Sequence, residues 1–136
     1  MHRALFAAVL LAAAPASACF VMVPPTERVA AGYRDGGYGA VLLVRVEHAF
    51  RTAPAKPNWR PWRATARIER VLAGDRRHGA VAFGRTGSPP ACDDGEPVPD
   101  RDDLWVAYLS RGGEVVLSYP LRVARSADPK LFPRGS

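Results

Sequence analysis

Two long segments of the chain alternate between apolar and polar residues with the two-residue period that is typical of β-strands. In residues 40–50, one face carries Leu42, Val44 and Val46, and the other carries Arg45 and Glu47. Residues 62–71 alternate in the same way: the apolar positions are Trp62, Ala64, Ala66 and Ile68, and the polar positions are Arg63, Thr65, Arg67 and Glu69. Both segments are therefore predicted to be strands that bury one face.

Shorter segments complete the predicted fold. We expect strands over residues 80–83, 104–109 and 114–119, the last two joined by a glycine turn into a hairpin. Thr26 is predicted to cap one short helix that ends near Arg34. Residues 51–61 are predicted to form an exposed loop, and residues 121–136 a polar C-terminal tail. The pattern predicts an all-β fold with one short helix, arranged as a small barrel or a sandwich.

The first nineteen residues have the three parts of an export signal. These are a positive start at His2-Arg3, an apolar run over residues 4–14, and the small-residue triplet Ala16-Ser17-Ala18. The apolar run is shorter than the roughly 20 residues of a membrane-spanning helix. We therefore expect cleavage of a signal peptide, residues 1–18, which makes the mature protein periplasmic or secreted, without a transmembrane segment. A lipoprotein attached at Cys19 is the alternative, although Ala16 stands where lipoproteins usually have leucine.

Cleavage would leave a chain of the size of one domain, with an excess of basic residues. The whole chain has 19 lysines and arginines against 13 acidic residues, and only Lys56 and Lys130 are lysines. Such an excess of arginine over lysine usually reflects a GC-rich genome and not selection for arginine chemistry, so we expect no nucleic-acid partner. Acidic residues concentrate in residues 93–103. This segment is predicted to be a solvated loop, with a calcium site as the alternative because calcium prefers several oxygen ligands.

Three features together resemble one protein family. They are a cysteine at the mature N-terminus, the run Ile68-Glu-Arg-Val-Leu-Ala-Gly-Asp75, and Cys92 about a dozen residues before Leu104-Trp-Val-Ala-Tyr-Leu109. The chain is similar in these features to bacterial exported netrin-like domains, which are related to the tissue inhibitors of metalloproteinases. The resemblance implies a five-stranded, OB-like Greek-key barrel over residues 19–120. It also implies a single disulfide between Cys19 and Cys92, and two exported thiols normally pair.

The same resemblance brings one candidate activity. In the animal inhibitors, the amine and carbonyl oxygen of the N-terminal cysteine chelate the zinc of the target protease, and Cys19 would occupy that position. The family's second cysteine is missing here, and Phe20 replaces a small residue. Metalloprotease inhibition is therefore a secondary alternative.

The sequence contains no pattern typical of an enzyme. It lacks the nucleophile elbow, the zinc-binding helix motif and the phosphate-binding glycine loop. His48 is expected to be a packed or edge residue and His78 a solvated one, and paired cysteines leave no free thiol. We therefore expect no catalytic residue, no metal site and no cofactor.

One segment combines aromatic rings with guanidinium groups, through Trp59, Arg60, Trp62 and Arg63. Such residues stack on sugars and contact anionic groups, and OB barrels bind ligands through the loop that joins their first two strands. The other interpretation is that Trp62 opens the strand and caps the core, while Trp59 packs over the end of the barrel. The sequence therefore predicts a monomeric, non-catalytic module that binds an envelope or secreted protein, as an inhibitor or accessory. The alternative is a binder of anionic glycan or lipopolysaccharide through these four residues, and a structural accessory without a ligand is the third possibility.

Overall fold

The structure is a computed structural model that describes residues 23–54, 60–75, 79–85 and 97–133. In chain order the elements are α1 (Pro25–Arg34), β1 (Ala40–Arg51), β2 (Trp62–Gly74), β3 (Ala80–Arg85), β4 (Leu104–Leu109), β5 (Val115–Pro120) and α2 (Leu121–Ala127). The predicted mainly β composition and the five predicted strands are confirmed. Cys19, Cys92 and the predicted signal peptide lie outside the described residues, so export and the disulfide stay predictions.

The five strands form one antiparallel sheet in the order β3-β2-β1-β4-β5. Its two outer strands, β3 and β5, approach one another. The guanidinium of Arg85 in β3 donates one hydrogen bond to the hydroxyl of Ser118 in β5, at 2.8 Å, and another to the Ser118 carbonyl oxygen. The sheet therefore curls until a side chain connects its two edges.

Helix α1 begins two residues earlier than predicted. Pro24 precedes the helix with φ −58° and ψ 148°, and no side chain caps the helix start. The predicted cap at Thr26 is therefore wrong. Proline suits the first helical position, where Pro25 lies, because a backbone N–H is not needed there and its φ angle is already helical. The helix ends at Arg34, Asp35 caps it, and the positive φ angles of Gly36 and Gly37 then turn the chain toward β1.

The predicted polar tail is wrong, because its first seven residues form the second helix, α2. Ala124 and Ala127 of this helix are buried, and so is Asp128, which follows it. Small side chains on one face let the helix pack closely on the sheet, while the arginines of the segment face solvent. Because of its arginines the segment looks polar in the sequence, although one narrow face of the helix is apolar.

One face of the sheet buries a core of mainly apolar side chains, which we call the tryptophan core. Its buried members are Ala40, Leu42, Val44, Val46, Trp62, Ala64, Ala66, Val81, Phe83, Trp105, Ala107 and Leu109. The predicted inward positions of β1 and β2 are confirmed by this set, and Ile68 packs against it. At its centre the ring of Trp62 meets Trp105 at 5.6 Å and Phe83 at 5.9 Å between centroids, both edge to face.

The opposite face packs against both helices and forms a second core, which we call the tyrosine core. Its buried members are Val29, Val41, Val106, Tyr108, Tyr119, Ala124 and Ala127, with Tyr33 and Tyr38 packed against them. Tyr38 lies directly over Gly32 of α1, where a Cβ atom would overlap the tyrosine hydroxyl. The helices cover β4, β5 and the nearer parts of β1 and β2. On the remainder of this face the side chains of His48, Phe50, Arg63 and Arg67 are exposed, and no described helix covers them.

Candidate functional site

The open part of the sheet lies beyond the helices, and we call it the uncovered face. It is formed by alternate residues of the three strands β1, β2 and β3. They are Arg45, His48, Phe50, Arg63, Thr65, Arg67, Ala80, Ala82 and Gly84. The cross-strand partners run in rows across the sheet, so that side chains from three strands share one surface.

A register shift in β1 creates the most distinctive part of this surface. Between Val46 and His48 the pairing with β2 shifts by one residue. Without the shift Phe50 would point into the tryptophan core, as Val46 does, but Ala49 takes that role instead. Phe50 is consequently 57% exposed and lies directly opposite Arg63 of β2. An aromatic ring and a guanidinium thus occupy neighbouring positions in contact with solvent.

A second row of the uncovered face is organised by a carboxylate. Glu69 accepts a hydrogen bond from Arg45 at 2.6 Å and another from Arg67 at 3.1 Å. These two hydrogen bonds hold the pKa of the Glu69 carboxyl below its usual value. The carboxylate orients both guanidinium groups but balances the charge of only one. The two rows together carry three arginines and one carboxylate. Glu47, which is exposed between Arg45 and His48 in β1, adds a second carboxylate, so that one positive charge remains in excess.

The third strand contributes almost no side-chain bulk. Its outward positions are Ala80, Ala82 and Gly84, which pair with Arg67, Thr65 and Arg63. A Cβ atom at Gly84 would collide with the carbonyl oxygen of Trp62. The basic rows are therefore flanked by a flat strip, which leaves the guanidinium groups accessible to an extended ligand.

The structure separates Trp62 from Arg63, two of the four residues that the sequence grouped as a ligand site. Trp62 is 0% exposed and lies at the centre of the tryptophan core, so its ring presents no surface to a ligand. Arg63 is exposed on the uncovered face, and Arg60 is half-buried two residues before β2. Trp59 lies outside the described residues. A cavity of about 240 Å³ is lined by residues of β2 and β3, among them Arg63 and Arg85, and by Thr52 and Val115.

Other predictions from the sequence meet the structure only in part. His48 is exposed on the uncovered face, rather than packed. His78 and residues 93–96 of the acidic segment lie outside the described residues, so the calcium alternative stays open. In the described part of the chain, no three histidine, cysteine or acidic side chains converge as metal ligands would. Nor do the described residues include a helix of sufficient length and apolarity to span a membrane.

No protein-family model, no curated protein and no solved structure matches this chain. No relative therefore identifies functional residues, and the candidate site rests on the positions and contacts of this chain's own side chains.

Two important residues were missed by the sequence reasoning. Phe50 was assigned to the end of a strand without a role, because regular alternation does not reveal a register shift. Asp128 was placed in a polar tail, yet it is 0% exposed and accepts four hydrogen bonds. The signal for Asp128 was its position just after an apolar Leu-x-Val-Ala-x-x-Ala pattern, which is consistent with one face of a helix.

Proposed function

We propose that this chain is an exported, non-catalytic binding module whose uncovered face binds an anionic glycan of the cell envelope, such as the phosphorylated saccharide of lipopolysaccharide. The observation that carries the proposal is the exposed pair of Phe50 and Arg63 beside the oriented guanidinium groups of Arg45 and Arg67. This revises the predicted site: Arg63 is kept, and Phe50 takes the aromatic role assigned to Trp62.

The chemistry of the surface suits a polymer that carries phosphate or carboxylate groups. A guanidinium donates paired hydrogen bonds to such groups and is only weakly hydrated. An exposed aromatic ring beside it can pack against the apolar face of a sugar. Because the flat strip of β3 adds no bulk, an extended chain can lie along the rows without displacing a side chain.

We further propose that the curled sheet is an OB-type barrel, as the resemblance to netrin-like domains implies. The strand order and the Arg85–Ser118 hydrogen bonds between the two edge strands support this. In OB barrels, ligands bind on the face of the second and third strands, next to the loops after the first and fourth strands. The uncovered face includes the corresponding strands β2 and β3.

Export and the disulfide belong to the same proposal. Removal of residues 1–18 and a bond between Cys19 and Cys92 would tie the segment before α1 to the connection between β3 and β4. In the chain-entropy model a bridge over a loop of this size stabilises by roughly 4 kcal/mol. An envelope location also matches the proposed ligand, because phosphorylated glycans are abundant there.

The test compares binding of the mature, oxidised chain to lipopolysaccharide and to a neutral dextran at two salt concentrations. We expect binding to lipopolysaccharide only, with affinity that falls by more than about tenfold between 50 and 200 mM salt as counterions are released. Arg63→Ala and Arg67→Ala should each weaken binding up to about fivefold, as expected for exposed charge pairs. Phe50→Ala should weaken it without changing the salt dependence.

Arg122→Ala is the matched control, since Arg122 is an exposed arginine on α2, outside the uncovered face. The proposal is wrong if this control weakens binding as much as Arg63→Ala does. Binding to an envelope or secreted protein, which the sequence placed first, predicts instead an affinity that changes little with salt. Metalloprotease inhibition depends on Cys19, outside the described residues, and would be seen as protease inhibition that survives Arg63→Ala.

A further inference from the structure

A cleft separates the two helices on the side of the molecule away from the tryptophan core. It has a volume of about 330 Å³ and lies between one face of α1 and the residues that end α2. The exposed part of its apolar wall is formed by Ala30 and the ring of Tyr33, and the buried residues Val29 and Ala127 lie at its base. The volume is at the lower end of the roughly 300–1,000 Å³ typical of small-molecule sites.

The floor of the cleft is fixed by a buried carboxylate. Asp128 accepts hydrogen bonds from the hydroxyls of Tyr33, at 2.8 Å, and Tyr108, at 3.2 Å. Its other oxygen accepts the backbone N–H groups of Lys130 and Leu131, at 3.1 and 3.2 Å. The carboxylate oxygens are thus occupied by donors of the protein itself. Asp128 therefore shapes the cleft without serving as a ligand-binding group.

Two cations lie at the mouth of the cleft. The ammonium of Lys130 is held over the ring of Tyr33, 4.2 Å from its centroid. Arg34 reaches the cleft from the last turn of α1, and Thr26 adds a hydroxyl at the other end of the same helix face. Among the described residues, neither Arg34 nor Lys130 forms an ion pair with a carboxylate. The mouth therefore has an excess of positive charge next to an apolar wall.

We infer that this cleft binds a small organic anion with an apolar body, of the class of medium-chain fatty acid carboxylates. The apolar part would pack on Ala30 and the ring of Tyr33, and the carboxylate would pair with Lys130 and Arg34. A neutral apolar compound would not pair with the two cations, and a short hydrophilic anion would not contact the apolar wall. The site is separate from the uncovered face and does not depend on its function.

The test uses monomeric octanoate, octanol and acetate as probes of the mature chain, followed by NMR chemical shifts. Octanoate should shift the signals of Ala30 and Tyr33 in a saturable way, octanol should bind more weakly, and acetate should not bind. Lys130→Gln and Arg34→Gln should each weaken octanoate binding up to about fivefold and leave octanol unchanged. Arg122→Gln is the matched control and should change neither.

A bulky residue in the cleft tests its location. Ala30 is half-buried in the cleft wall, so Ala30→Trp should block octanoate, while circular dichroism reports whether the fold is kept. Arg63→Ala should not affect octanoate, which separates this site from the proposed glycan site. Equal affinity for octanoate and octanol would overturn the inference. Binding to anionic phospholipid vesicles but not to monomeric octanoate would overturn it too, because the ligand would then be a lipid surface.

Discussion

The tryptophan core and the tyrosine core lie on opposite faces of the same sheet, yet they are built by different chemistry. Of the three tryptophans of the chain, Trp62 and Trp105 lie in the first core, and Trp59 lies outside the described residues. All four tyrosines belong to the second core. The first is held mainly by apolar burial, with the guanidinium of Arg85 lying 5.6 Å from the centre of the Trp62 ring. The second surrounds the carboxylate of Asp128 with hydroxyl and backbone donors.

The two cores contribute to the fold in different ways. Apolar burial is non-directional and scales with the area removed from water, so the tryptophan core supplies much of the free energy of folding. Hydrogen bonds add less free energy but require particular positions. Tyr33 from α1, Tyr108 from β4 and Asp128 after α2 meet at one carboxylate oxygen. The tyrosine core therefore determines where the helices sit, and with them the cleft between them.

The largest expected effect is in the tryptophan core. Trp105→Ala removes a fully buried indole that packs against Trp62 and Phe83, and should lower the free energy of unfolding by about 3–5 kcal/mol. Urea denaturation followed by circular dichroism measures the loss. Val116→Ala is the control, since Val116 is 52% exposed and should cost little. Similar losses for the two variants would mean that this face is not a packed core.

A smaller effect is expected from the tyrosine core. Asp128→Asn replaces one acceptor oxygen by an N–H₂ group that would face donors, whichever way the amide turns. The free energy of unfolding should fall by about 1–3 kcal/mol. Asp75→Asn is the control, because Asp75 is exposed and the described residues place no hydrogen-bond donor on its carboxylate. If both variants had the same stability as the unmodified chain, Asp128 would not organise this core.

The Asp128→Asn variant also tests whether the two cores are independent, because it should change the tyrosine core only. The fluorescence of the tryptophan core should keep its native spectrum at low denaturant. The NMR signals of Tyr33 and Ala30 should shift in this variant, because α2 would be held less firmly against α1.

The tryptophan core could be predicted from the sequence because burial of one strand face imposes the alternation directly. Leu42, Val44 and Val46 in β1 were assigned correctly for this reason, as were Trp62 to Ile68 in β2. The tyrosine core could not be predicted in the same way. Its central residue, Asp128, is charged, and its helix α2 is rich in arginine, so that composition indicated a tail. A buried carboxylate is stable only because donors from distant elements converge on it, which local sequence does not report.

The candidate site was predicted in part, for a related reason. Arg63 was placed on the polar face of its strand and is exposed there. Trp62 was grouped with it as a neighbour, but adjacent residues of a strand point to opposite faces, and the ring is in the core. Phe50 reached the surface through a shift of pairing between β1 and β2. Such a shift depends on how the two strands pair, and the sequence of either strand alone does not indicate it.

The smallest predicted effect is a dependence on alkaline pH that should arise in the tyrosine core alone. Burial raises the pKa of Tyr38 to about 12, and the negative charge of Asp128 adds to this. Burial and Asp128 raise the pKa values of Tyr33 and Tyr108 further above the ordinary value. In the unfolded chain these hydroxyls ionise near pH 10, at about the ordinary pKa of tyrosine.

Above that pH the folded chain therefore holds more protons than the unfolded chain, so the free energy of unfolding should fall as pH rises. Below it, these groups should contribute no pH dependence. The measurement is the free energy of unfolding at a series of pH values from 8 to 11, with tyrosinate absorbance recorded in parallel. Tyr38→Phe should reduce the slope above pH 10, whereas Phe83→Leu in the tryptophan core should lower stability equally at every pH. A slope that is unchanged in Tyr38→Phe and Tyr108→Phe would show that the tyrosines do not titrate as their burial requires.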